Sequence, residues 1–130
     1  MKNEISENEI IKQYIEICLI IHKANLNGDY KTSNKEGKKI IKLFKYLEKN
    51  IEVAKRVLPI LFKHENVCVR IEGAAQCLSL KIFVDEAEKV LEIDLLIKEH
   101  GFIYRNEAEQ TLKQWREKGY LKIYPEQQIS

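Results

Sequence analysis

Few residues in this chain are of types that do chemistry, and their spacing argues against catalysis. His22, His64 and His100 lie far apart, each near a predicted helix end or turn. A protonated histidine near a helix C-terminus is favoured by the helix dipole, so a structural role comes first. Glu86 and Glu88 stand two apart on a predicted helix and point to different faces, which rules out a shared acid–base task. Metalloprotease, paired-cysteine, phosphate-loop and nucleophile-elbow motifs are missing from the sequence. Cys18, Cys68 and Cys77 are odd in number and show no close pairing. They sit among apolar helical residues, where a free thiol behaves as a small hydrophobe, and a reducing cytosol is the simplest setting. The expectation is a non-enzymatic protein with no catalytic residue, no metal ligand and no cofactor.

Binding residues are the alternative. Arg70 is expected to reach a carbonyl or carboxylate at the neighbouring turn as a structural ion pair. Trp115, the sole tryptophan, shares a stripe with Ala108, Thr111 and Leu112, which marks it as an inward anchor. Lys35, Lys38, Lys39, Lys42, Lys45 and Lys49 make the best case for nucleic acid. They spread over more than one helical face, with only Phe44 and Tyr46 among them.

Charge is unevenly placed along the chain. From Asp29 to Lys49 there are seven lysines against three acids, and from Asp85 to Glu99 six acids against two lysines. One basic and one acidic helix follow, either of which could steer a charged partner, although solvated helix faces explain both. The acidic stretch argues against a continuous basic groove for nucleic acid. With 130 residues, 45% of them hydrophobic, the chain suits one folded domain with a real core. The polar start and the short longest apolar run, Ile17 to Ile21, lead to the expectation of a cytoplasmic protein with no membrane span.

Six helices must position these residues. Ser6 with Glu9 three residues on reads as a capping box for the first, Glu7 to Leu26, with Ile10, Ile11, Tyr14, Ile17, Cys18 and Ile21 at helical spacing. Asn27-Gly28 ends it. Asp29 caps a second helix, Tyr30 to Lys49, with Ile40, Ile41, Phe44 and Leu47 inward and Gly37 loosening its first turns. Asn50 caps a third, Ile51 to Phe62, which Pro59 should kink or shorten. Asn66 caps the fourth, Val67 to Leu80, with Val67, Ile71, Ala74, Ala75 and Leu78 as its core face. The fifth starts at Asp85 and ends near Glu99, and His100-Gly101 separates it from a sixth, Tyr104 to Lys118. Residues 119 to 130 form a tail anchored by Tyr120, Leu121, Ile123 and Tyr124. Short connections imply antiparallel pairs, and Gly73, Ala74 and Ala75 let the fourth helix approach its neighbours closely. The expected fold is all-α: an α-solenoid, a right-handed α-α superhelix of three antiparallel helix pairs, forming a single domain over residues 1 to 130.

The run Leu61 to Arg70, followed by Ala74-Ala75 and Leu78, resembles the turn and second helix of a HEAT repeat. Ala87-Glu88-Lys89-Val90-Leu91-Glu92 and the block Ala108 to Gly119 are similar to the end of a small bacterial HEAT-like family. That family carries only a domain-of-unknown-function label, two thousand and nineteen in the series. The likeness covers roughly Asn27 to Tyr120 and is strongest from Asn66 on. It departs at Gly73, where the family tends to carry a larger residue, and in the longer, Ile- and Lys-rich first helix. The resemblance implies a cytosolic immunity protein that binds and neutralises a cognate toxin domain, a nuclease being one candidate. A generic HEAT-like adaptor, or a nucleic-acid binder using the Lys-rich second helix, are the alternatives.

In such a stack the second helix of each pair lines one side. The partner-binding residues expected there are Glu72 and Gln76 on the fourth helix, with Glu109, Lys113 and Arg116 on the sixth. Glu88, Glu92 and Asp94 join them if the acidic fifth helix is used, Asp94 being closest to the core stripe.

Overall fold

A computed structural model describes residues 5 to 129; the first four residues of the polar start, and residue 130, lie outside the described part. Six α-helices run in the order α1 (Glu7–Leu26), α2 (Tyr30–Lys49), α3 (Ile51–Phe62), α4 (Val67–Leu80), α5 (Val84–Leu96) and α6 (Gly101–Lys118). No strand occurs among the described residues. The first four helices have the bounds their caps and periodicity predict. Ser6 accepts from the Glu9 amide, Asp29 from Thr32, and Asn66 from both Cys68 and Val69. Asn50 departs from expectation: its side chain turns back to donate to the Tyr46 carbonyl, closing α2 instead of opening α3. Pro59 lies one turn before the end of α3, which runs on to Phe62.

The α5–α6 junction differs more. Helix α5 stops at Leu96, a 3-10 turn spans Lys98–His100, and α6 begins at once at Gly101, whose φ of +81° only glycine adopts freely. Asp85 sits inside the first turn of α5, where its charge suits the helix dipole.

Helices α1 and α2, α3 and α4, and α5 and α6 pack as pairs. Helix α4 also packs on α5, α1 and α6, so it is enclosed on nearly every side. Its approach to α3 depends on Gly73, because a Cβ there would lie 2.8 Å from both the Leu61 Cβ and the Phe62 backbone nitrogen. The core contains Tyr14, Leu47, Leu58, Leu61, Leu78 and Leu91, each withdrawn from water and each stabilising by roughly 2 kcal/mol. Cys18, Cys68 and Cys77 are buried free thiols. Burial pushes Cys77 up to about 12, and a hydrogen bond with Cys68, then burial, raises Cys18 well above its ordinary value. Both stay protonated and unreactive at neutral pH.

The tail is anchored as expected, with one strong addition. Leu121 is buried, and the Tyr124 hydroxyl donates to Glu48 at 2.7 Å. Gln127, also buried, donates to Ser79 and accepts from the Ile123 amide. The segment therefore lies across the C-terminal ends of α2 and α4. No helix is long and apolar enough to cross a membrane.

Candidate functional site

One groove runs between α4 and α6. Its floor is α4, through Ile71, Glu72 and Ala75, and one wall is α6, through Phe102, Ile103, Asn106, Glu107, Gln110 and Gln114. Leu121 to Ile123 of the tail lie at one end, and the enclosed space is about 520 Å³. A second depression of about 290 Å³ shares Glu72 and Ile123 with it and is walled by Ser33, Asn34, Gly37, Lys38 and Ile41 of α2. Helices α2, α4 and α6 thus line two adjoining depressions that meet at Glu72. A chain of hydrogen bonds ties the walls together: Ser33 of α2 donates to Asn25, and Asn25 donates to the Tyr104 hydroxyl of α6. His22 stacks on the Tyr104 ring beside it, at 5.0 Å between centroids.

Glu72 is held from below. The buried Tyr14 hydroxyl donates to Gln76 Oε1 at 2.7 Å, and Gln76 Nε2 donates to Glu72 Oε2 at 2.9 Å. Burial raises the Glu72 pKa, and the Gln76 amide offsets part of that rise. Glu107 is exposed on the α6 side of the groove. Desolvation by the protein around it, followed by the charge of Glu72, pushes Glu107 up to about 7. Two carboxylates of one sign therefore line the groove. Lys38 and Lys122 line it as well, but neither makes an ion pair with either acid.

The residues expected to bind a partner separate into four places. Glu72 alone is in the groove. Gln76 and Asp94 are corrected from surface to core: their exposures are 0% and 1%. Gln76 is enclosed because α4 is packed all round, and the apolar Cys68, Val69 and Cys77 off the predicted core face were the sequence signal for that. Asp94 is spent inside the fold. It takes Arg70 Nη2 at 2.8 Å and faces His100 Nε2 at 3.1 Å. Arg70 also donates to the His64 and Glu65 carbonyls at the turn before α4, the structural role expected of it.

Glu88, Glu92 and Arg116 form a third group on the outer side of α5 and α6. Arg116 pairs with both acids, and Trp115, half-buried, donates its indole N–H to Glu88 at 2.7 Å. Glu109 and Lys113 are exposed on α6 but do not line the groove. The groove uses the opposite polar face of α6, and Glu107 on that face was missed. Nothing in the sequence separates the two faces, since both are polar and flank the same Ala108–Leu112 stripe.

Among the described residues no group of three histidines, cysteines or acids is placed to hold a metal ion. What the arrangement can do is present hydrogen-bonding carboxylates and apolar side chains to something laid in the groove. No protein-family model matches the chain, and no curated protein or solved structure matches it either.

Proposed function

We propose that this chain is a HEAT-like stack of three helix pairs that acts as an immunity protein. It binds a cognate bacterial toxin domain in the cytosol and neutralises it without catalysis. The single observation behind this reading is the groove, to which the second helix of each pair contributes. A stack of helix pairs offers such a concavity as its natural partner surface. The partner class comes from the resemblance that starts at Asn66. Glu72 and Glu107 offer acceptors to a basic partner such as a nuclease.

A generic adaptor would use the same groove and differ only in what it binds. Nucleic acid is disfavoured by the site itself. Of the six lysines from Lys35 to Lys49 named above, Lys38 alone lines the groove, and it does so beside Glu72. Lys39 is paired with Glu36, and Lys45 lies over the Tyr124 ring.

The experiment is to identify the product of the adjacent gene and co-express its C-terminal domain with this chain in cells that the domain alone would kill. Growth is expected to be restored and the two chains to co-purify. A domain that stays lethal and elutes alone overturns the proposal.

A further inference from the structure

We infer that Cys18 and Cys68 form a reversible oxidation site: hydrogen peroxide oxidises Cys68, and Cys18 closes a disulfide onto it that ties α1 covalently to α4. The inference is independent of what the groove binds.

Placement is the first argument. Of the three free cysteines, Cys18 and Cys68 have their thiols together where α1 packs on α4, whereas burial and the charge of Glu86 are what bear on Cys77. Thiols that already face one another across two packed helices meet the main geometric demand of a disulfide. The Tyr104 hydroxyl of α6 adjoins Cys68 as well. It accepts from Asn25 at 3.2 Å, which leaves its own proton for the Cys68 sulfur. His22, one turn on from Cys18, stacks on the Tyr104 ring, and its Nδ1 is buried with no hydrogen-bond partner among the described residues. The two thiols therefore belong to a polar cluster drawn from α1, α4 and α6, not to plain hydrocarbon.

Access sets the order of the two steps. Cys68 is 8% exposed and Cys18 1%, so a small oxidant meets Cys68 first. Cys68 is also the second residue of α4, where the helix dipole favours negative charge developing on sulfur. Its sulfur attacks one peroxide oxygen. The S–O bond forms, the O–O bond breaks, and the hydroxide released leaves as water with the Cys68 proton. The Cys18 sulfur then attacks the sulfenic sulfur of Cys68. The S–S bond forms, the S–O bond breaks, and the departing hydroxide takes the Cys18 proton as a second water. Two thiols have then given two electrons to one peroxide. Cys18 suits the second step, because it stays protonated and brings the proton that the leaving group needs.

The test is treatment of the native chain with about 1 mM hydrogen peroxide, then acid quenching, digestion without reductant and mass spectrometry. The expected product is a linked Cys18–Cys68 peptide, lighter by two hydrogens and released by dithiothreitol, with Cys77 still free. Cys68 should be consumed about tenfold faster than Cys77. In Cys18→Ser, dimedone should label Cys68 as the sulfenic acid more heavily than in the native chain, where the bridge removes it. The oxidised monomer should melt about 10 °C above the reduced one, because the crosslink restricts the unfolded chain. Equal consumption of Cys68 and Cys77 overturns the inference. So do bridges that use Cys77 or a second chain instead, an oxidised form that melts no higher, or thiols that all survive the treatment. The mapping uses the native chain, so it decides the matter even if Cys18→Ser does not fold.

Discussion

Arg70 and Glu72 stand two residues apart on α4 and project from nearly opposite sides of the helix, into polar clusters of opposite design. Around Arg70 every charge is answered. Asp94 and two backbone carbonyls take the guanidinium, and His100 completes the cluster. Around Glu72 the support comes only from beneath, through Gln76 and Tyr14, while the neighbour across the groove is another acid. A closed network of this kind holds α5 and the turn before α4 in place. An open one leaves carboxylate acceptors at the surface, where the buried strut has none to offer.

Substitutions can tell the two clusters apart. Asp94→Asn should have the largest effect, about 3 kcal/mol lost in urea unfolding, because it leaves Arg70 half-buried without its counter-charge. Unchanged stability would mean that the Arg70 network is not structural. Gln76→Leu should cost about 2 kcal/mol in the same measurement, since the buried Tyr14 hydroxyl loses its acceptor. It should also raise the Glu72 titration midpoint, which the Gln76 amide lowers.

Glu107→Gln should act in the reverse direction. Between the ordinary 4.5 and about 7 the folded state holds a proton that the unfolded chain releases. The stability contributed by this group is therefore present at low pH and is lost as pH rises through that window. The variant should remove this slope and gain about 1 kcal/mol at pH 8, a figure reduced because one side of the carboxylate meets solvent. The measurement is unfolding at pH 5 and pH 8, and an identical slope in both proteins would refute the placement of Glu107. Arg116→Ala, in the exposed pairing with Glu88 and Glu92, should change the melting temperature least, by the equivalent of less than about 0.5 kcal/mol.

Local signals explain what could be read beforehand. Ser6, Asp29 and Asn66 are caps whose side chains can bond only a few residues onward, so the starts of α1, α2 and α4 follow from sequence. The α5–α6 junction was harder, because a 3-10 turn and a glycine at positive φ let one helix follow another without a polar loop. The site was legible only at Glu72. Gln76 sits at an outward-looking position by periodicity, but enclosure by four other helices is a tertiary fact. The two polar faces of α6 are equivalent in one dimension. Packing on α4 and α5 decides that Glu107 turns into the groove and Glu109 away from it.

The Asn25–Tyr104 bond and the His22 stack join the first helix of the molecule to the last. In a linear array each pair touches only its neighbours, so units can be gained or lost at the ends by duplication and deletion. Here α1 and α6 brace each other directly, so loss of either one strips packing and hydrogen-bond partners from the other, and the six helices are expected to unfold as one cooperative unit and not pair by pair.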